Sequence, residues 1–493
     1  MRLAPRACAA ALLAAALGCA GESAAAPPAP LTLSPCELEH PLRLTVLAAE
    51  CGVLAVPENP HDPAGRRIAL KVARVAAISR AKRPDPLFVL AGGPGAAAGA
   101  FYASVAGAFE RILRERDIVL VDQRGTGASN PLDCAGGEDL LNRASDAQIA
   151  AATRTCLASL ATRAGVAWYT TSLAVEDLER VRAALGYERI NLYGASYGTR
   201  VAQHYLRRYP LRVRSLILDG VVPPERVLGP ETPLDAERAL RDVLARCAGE
   251  SACRASFADP LGDYRAVRAA LDARAVSVRV PDPSTAAPTQ IEFGSEHLAT
   301  VLRLLSYTSE YAALLPLMLH GAAARDYAPL AAQYLLVERA YGANLAIGMH
   351  NSVVCAEDVP FFDPRRIDRA QLAATYLGTR QLDGLALVCS LWPRGPVDAD
   401  LHAPLVSDVP ALLLSGSDDP VTPPAYAAEA ARGLSRSRSL VLPGFGHGQL
   451  TAPCMDRVLA QFLARGSADS LDTGCTRAAR PLAFFTSLNG PPP

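Results

Sequence analysis

Asn191-Leu192-Tyr193-Gly194-Ala195-Ser196-Tyr197-Gly198-Thr199-Arg200 decides how the rest of the chain is read. A G-x-S-x-G pentapeptide at 194–198 follows directly on the apolar run 190–193, and a helix-compatible segment follows it. Strand, sharp turn and helix in that order lift a serine hydroxyl out of a sheet. Glycines two residues either side leave room where side chains would strike the neighbouring strand and helix. Gly, Ala and Ser are common in this chain, so the pentapeptide acquires meaning only if partners for Ser196 follow it.

A serine hydroxyl is a poor nucleophile near neutral pH and needs an adjacent base, usually a histidine oriented by a buried carboxylate. Downstream, 411–414 reads as a buried strand running into Ser415-Gly416-Ser417-Asp418-Asp419-Pro420. A second apolar strand, 439–442, runs into Pro443-Gly444-Phe445-Gly446-His447-Gly448. An acid and a histidine therefore each sit just past a strand's carboxyl end, where open α/β sheets place their active sites. His447 lies between two glycines in the last strand-to-helix loop. His40, His61, His204, His297, His320, His350 and His402 lack such a setting and read as surface or core residues. Spacing alone does not separate Asp418 from Asp419, since either could cap the turn.

The chain has 493 residues, enough for one large domain with an insertion or for two domains, and 49 basic residues balance 49 acidic ones. That balance, with no long run of like charge, offers no electrostatic surface for nucleic acid. Arg2 and Arg6, an apolar stretch to about residue 17 and small residues beyond read as a secretory signal peptide over 1–26. The stretch is too short and too weakly apolar for a membrane span, and no other segment reads as one. Gly18-Cys19 is a candidate lipoprotein cleavage point, with Cys19 as the lipid anchor, although Ala16 stands where a larger aliphatic residue is usual. Past the leader the cysteines are even in number: Cys36, Cys51, Cys134, Cys156, Cys247, Cys253, Cys355, Cys389, Cys454 and Cys475. In an exported chain that pattern favours disulfides, and pairing each cysteine with its neighbour in sequence is the simplest expectation. No C-x-x-C pair is present, which disfavours a structural zinc site.

The same alternation of short apolar runs and helical patterns extends along the chain. Residues 52–57 and 67–77 read as a hairpin entering a sheet, and 86–91, 117–122, 190–193 and 214–220 as buried strands. An amphipathic helix over 172–185 is capped by Thr170, Thr171 and Ser172 and ended by Gly186. Buried strands alternating with helices imply a mostly parallel sheet with helices on both faces. The rhythm breaks from 223 to about 405, which is mainly helical with one β-like stretch at 276–280, and resumes at 409. We therefore expect a leader over 1–26, the first part of a core over 36–222, a helical cap over 223–405 and the rest of the core over 406–485.

Acyl transfer passes through an oxyanion that needs two fixed donors. The backbone N–H of Tyr197, the residue after the serine, is one candidate. Gly92-Gly93-Pro94-Gly95 follows a strand upstream and supplies the other, with Gly93 the first choice and Gly92 the next. Asp122, Gln123 and Arg124 read as structural, with Arg124 able to pair with a carboxylate and hold the glycine loop or, alternatively, to contact substrate, and Asp219 reads as a cap or turn residue.

Together Gly92-Gly93-Pro94-Gly95, Asp122-Gln123-Arg124-Gly125-Thr126-Gly127, the 194–198 pentapeptide, Asp419-Pro420-Val421-Thr422-Pro423 and Gly446-His447-Gly448 resemble the prolyl and tripeptidyl aminopeptidase family of α/β-hydrolases. The resemblance implies an α/β-hydrolase fold, Ser196 as nucleophile, Asp419 as orienting acid, His447 as general base, and no cofactor or metal. It also implies a peptide substrate with a free N-terminus, whose ammonium meets a carboxylate in the cap. Ser352-Val353-Val354-Cys355-Ala356-Glu357-Asp358 resembles the cap segment of tripeptidyl-type members and makes Glu357 the candidate anchor. Ala91 stands where simple prolyl aminopeptidases carry a histidine, which points to the exported tripeptidyl-type branch. The expected activity is that of an exported serine aminopeptidase. The alternatives are a carboxylesterase with the same three residues and an inactive binding protein on the same fold.

Overall fold

The computed structural model describes residues 30–134, 141, 143–283, 285–342 and 345–491, with the side chains of 338–342 excepted. The signal-peptide and Cys19 expectations lie outside the described residues. Nine strands form one sheet: β1 (Ser34–Glu39), β2 (Val46–Pro57), β3 (Arg67–Val75), β4 (Leu87–Leu90), β5 (Ile118–Val121), β6 (Ile190–Ala195), β7 (Val213–Asp219), β10 (Ala411–Gly416) and β11 (Ser437–Leu442). β8 (Val276–Pro281) and β9 (Pro288–Phe293) pair separately as an antiparallel hairpin. The main sheet runs β1-β2-β3-β5-β4-β6-β7-β10-β11, antiparallel from β1 to β5 and parallel from there on.

The unbroken apolar runs that mark the strands are explained by burial on both faces. Along β4, Phe88 and Leu90 enter one apolar cluster while Leu87 and Val89 enter another. β6 and β10 divide in the same way, Leu192 and Leu413 to the first cluster, Tyr193 and Leu412 to the second.

Between β7 and β10 the chain is mainly helical, as its composition implied. The helices Thr232–Gly249, Ser295–Leu305 and Leu315–Ala323 close a third apolar cluster of their own around Leu240, Val301 and Leu319. The later helices, Ile347–Glu357 and Arg380–Leu391, differ: Met349, Val353 and Val388 pack into the main core beside the helix Asp146–Leu160. Sequence gave no sign of that division, because both halves carry the same Ala/Leu-rich pattern.

Among the described residues five disulfides join cysteines that are neighbours in sequence: Cys36–Cys51, Cys134–Cys156, Cys247–Cys253, Cys355–Cys389 and Cys454–Cys475. Such bonds persist outside the reducing cytoplasm, which marks the chain as exported. Among the described residues no helix is long and apolar enough to cross a membrane.

Candidate active site

β6 delivers Ser196 into the turn before the helix Tyr197–Arg208, with Ser196 at φ 54° and ψ −123°. Positive φ costs a non-glycine residue free energy and is held only where the surroundings over-determine it. They do so here: the Ser196 N–H donates to the Asp219 carbonyl (2.8 Å), and the Ser196 carbonyl accepts from the Thr199 hydroxyl (2.6 Å). The flanking glycines are sterically required. A Cβ on Gly194 would sit 2.4 Å from the Gly198 carbonyl oxygen, and one on Gly198 2.4 Å from that of Leu90.

The structure brings His447 and Asp419 together. His447 Nδ1 donates to Asp419 Oδ2 at 2.8 Å. Asp419 is fully buried, and its Oδ1 accepts the N–H groups of Val421 and Thr422, each at 2.8 Å. Oδ2 also accepts the Thr422 hydroxyl at 2.9 Å. Burial works against the Asp419 charge, but His447 and these donors outweigh it and hold the carboxyl below its ordinary range. Burial likewise disfavours a charged His447, yet the adjacent Asp419 carboxylate prevails and raises the imidazole above its usual value. Asp418 faces elsewhere, toward the Ser417 hydroxyl (2.7 Å) and Arg246 (3.4 Å). Geometry thus separates the two aspartates that spacing left equivalent.

Ser196, Asp219, His447, Gly92 and Gly93 line one cavity of about 550 Å³, within the range of ligand sites. Gly92 touches the serine closely, since a Cβ there would lie 2.9 Å from Ser196 Cβ. Tyr197 opens its helix, so its N–H is one that no intrahelical carbonyl takes. Arg303, Tyr307 and Glu310 of the helical insertion line the same cavity. The Tyr307 carbonyl accepts the His447 N–H at 2.6 Å, and its ring meets the imidazole edge-on. A further wall, formed by Leu345, Ile347, Val354, Leu385 and Val388, is apolar.

Glu357 is a correction to the sequence reading. It does not line the cavity but lies fully buried behind the helix that follows Ser196. Its two oxygens accept the Thr171 N–H (2.6 Å) and hydroxyl (2.7 Å), and Arg200 stands 3.8 Å away. A ligand ammonium has no open oxygen to meet there. Arg124 is structural as expected: it grips Asp177 with two nitrogens (2.7 and 2.9 Å) and donates to the carbonyls of Glu58 and Trp168.

Asp219 was underestimated. Both its oxygens accept the Gln449 N–H (3.0 and 2.9 Å) and Oδ2 accepts the Tyr193 hydroxyl (2.8 Å). Burial pushes its carboxyl up to about 6, and its charge adds to that of Asp419 in raising His447. Its place at the carboxyl end of β7 was the available signal. Thr422 lay inside a quoted motif, but its contact with Asp419 was not legible there.

Two family models match this chain. One, described as alpha/beta hydrolase fold, covers residues 85–249, and the other, described as TAP-like protein, covers 374–475. The first contains Ser196 and the second Asp419 and His447. The chain has the α/β-hydrolase fold, with a TAP-like segment towards its C-terminus. Serine protease Hip1 of Mycobacterium tuberculosis is 26% identical over 490 residues, covering 90% of this hydrolase and 91% of that protein. Tripeptidyl aminopeptidase of Streptomyces lividans is 31% identical over 193 residues, 36% of each chain. Carboxylesterase B of Mycobacterium tuberculosis is 27% identical over 469 residues, 87% of each chain. All three relatives are named for a hydrolytic activity.

Proposed function

We propose that this hydrolase is an exported serine aminopeptidase acting through an acyl-enzyme. The observation that carries the reading is the His447–Asp419 pair opening onto the same cavity as a serine held at positive φ. Ser196 attacks the scissile carbonyl while Nε2 of His447 takes its proton. Asp419 keeps the other proton on Nδ1 and stabilises the imidazolium. The oxyanion rests on the N–H groups of Tyr197 and Gly93. His447 then protonates the leaving amine, and water releases the acyl group by the same route. Residues 223–405 act as the cap over this site. Before export the chain carries its leader over 1–26, with Cys19 as a candidate anchor to the bacterial envelope.

The names of two relatives, a serine protease and a tripeptidyl aminopeptidase, favour a peptide substrate. Among the described residues the carboxylates lining the cavity are Asp219 and Glu310. Asp219 is saturated by Gln449 and Tyr193, whereas Glu310 is exposed on the cap, in the short helix Ser309–Ala312. Glu310 is therefore the ammonium anchor in this reading. The apolar wall and the carboxylesterase relative favour a second reading, ester hydrolysis with the same three residues.

Matched peptide anilides with free and N-acetylated termini separate the two. The expected result is a strong preference for the free amine, lost in Glu310→Gln, with Ser196→Ala inactive by several orders of magnitude. Equal rates on both anilides, or turnover of simple esters alone, would support the esterase. Failure of Ser196 to react with an organophosphonate probe would point to an inactive binding protein.

A further inference from the structure

The helix Ile347–Glu357 touches both halves of the oxyanion site at once. At its start, the Ala346 N–H donates to the Gly95 carbonyl (3.0 Å), and Leu345 forms an antiparallel bridge with Ala96. One turn on, His350 Nδ1 donates to the Pro94 carbonyl (3.3 Å). The fit is close: a Cβ on Gly95 would lie 2.8 Å from the Ala346 oxygen, and one on Gly93 2.9 Å from the Leu345 side chain. The 92–95 loop is thus shaped against residues 345–350.

At its other end the helix grips the nucleophile helix. The Thr171 hydroxyl donates to Glu357, so the Thr171 oxygen accepts from the Tyr197 hydroxyl at 2.6 Å. Gln123 donates to the same tyrosine oxygen (3.1 Å), which fixes the ring at its far end. One turn past Tyr197, Arg200 donates to both oxygens of Asp358 (3.1 and 2.8 Å), and Oδ1 also accepts the Leu228 N–H (2.7 Å). The Cys355–Cys389 disulfide and a hydrogen bond from Trp392 to Ser352 (3.1 Å) tie the helix to the rest of the cap. Glu357, Thr171, Tyr197, Arg200, Asp358, Ser352 and Trp392 are buried, while Gln123 and His350 are part-buried, so the contacts around Glu357 are shielded from water and their geometry is tightly specified.

We propose that the helix Ile347–Glu357 is a strut that sets the spacing of the two oxyanion donors, and that Glu357 is its positioning residue, acting on Tyr197 through Thr171. The inference rests on the reading of Ser196 as nucleophile with Gly93 and Tyr197 as donors. It gives the buried glutamate a part in transition-state binding although it touches no substrate. A donor held out of place weakens binding of the oxyanion more than binding of the ground-state carbonyl.

The test compares Glu357→Ala, Glu357→Gln and Tyr197→Phe in the full chain, with active sites counted by organophosphonate titration. In Gln the amide oxygen can accept the Thr171 N–H while its NH2 donates to the hydroxyl, so the chain of contacts survives reversed once Gln123 turns its amide oxygen to accept from Tyr197. Glu357→Ala should lower kcat by roughly 10–100-fold, part of the loss expected for a missing oxyanion donor, with KM little changed. The affinity of a peptide boronic acid should fall in parallel, and Gln should recover most of both. Tyr197→Phe should lower kcat in the same way, and adding Glu357→Ala to it should cost far less than the product of the two effects. If Glu357→Ala does not fold, Tyr197→Phe decides by the same kcat, KM and boronate readings. A change in KM alone, an unchanged boronate affinity, or full additivity overturns the strut. Activity in Ser196→Ala, or no titration at Ser196, would instead overturn the underlying active-site assignment.

Discussion

Replacing Asp419 by Asn tests the site most sharply, because the structure dictates how the amide must sit. Oδ1 accepts two backbone N–H groups, from Val421 and Thr422. An NH2 group there would face two donors, so the amide oxygen takes that place. The NH2 then occupies the Oδ2 position, 2.8 Å from His447 Nδ1. The Thr422 hydroxyl, now at Oδ2 as a donor, can turn and accept. His447 cannot adapt without changing tautomer. Nδ1 must accept from the amide, the ring proton moves to Nε2, and the nitrogen facing Ser196 can no longer take its proton. The same exchange in a serine protease triad costs about 10⁴ in kcat, equivalent to ~5.5 kcal/mol of barrier. We expect a loss of about 10³–10⁴ here, with KM and thermal stability nearly unchanged because every backbone donor keeps its acceptor. Asp418→Asn is the control, expected within about threefold of wild type because Asp418 faces Ser417 and Arg246. The assay is turnover of a free-amine peptide anilide per phosphonate-titrated site. Activity within tenfold of wild type in Asp419→Asn would refute the tautomer argument, and a larger loss in Asp418→Asn would move the acid to that residue.

The pH profile follows from the raised His447. The base must be neutral, so kcat/KM should rise with pH through a midpoint above the ordinary histidine value of about 6.5. Asp219→Asn removes one of the two charges that raise it and should move that midpoint down; a midpoint that stays put would show that Asp219 exerts no field there. Arg124→Met leaves the buried Asp177, among the described residues, with its contact to Arg180 alone and strips donors from two carbonyls. It should cost about 3–5 kcal/mol, read as a lower melting midpoint, with activity per titrated site far less affected. Gly220→Ala should do the opposite: φ is +66° there and the new Cβ would lie 2.8 Å from His447 Cε1, so turnover should collapse while the fold survives. Normal turnover in that variant would mean that His447 has room to move without consequence.

The core was legible because its constraints are local. The inner parallel strands carry apolar runs, such as Leu87–Leu90, Ile118–Val121 and Leu412–Leu414, and each functional loop begins where such a run ends. The 194–198 pentapeptide also states its own geometry, since Gly194 and Gly198 mark the two places where a side chain would meet backbone. Strand β1 was missed, and β9 with it. β1 is a short polar edge strand held by pairing with β2 and by the Cys36–Cys51 bond, and β9 is half-exposed. Neither carries a burial pattern that sequence could reveal. The division of the helical insertion was hidden for a related reason: which helices join the main core depends on docking against Asp146–Leu160, a contact far away in sequence.

The two glutamates of the cap show where pattern reading stops. A motif can place Glu357 on a helix beside the site, but the face it presents is set by packing. An anchor for a ligand ammonium must keep an oxygen open to solvent, because the ligand arrives hydrated and must exchange water for the carboxylate. Glu357 has given both oxygens to Thr171, and burial pushes its carboxyl up to about 7 despite nearby Arg200. Binding an ammonium there would mean breaking those bonds and burying a second ion, at a cost of several kcal/mol. Glu310 faces no such cost, since it is already exposed at the cavity wall. The chemistry asked of a cap acid is therefore better served by a residue that no motif singled out. The acid that a motif did single out is better suited to holding Tyr197 still.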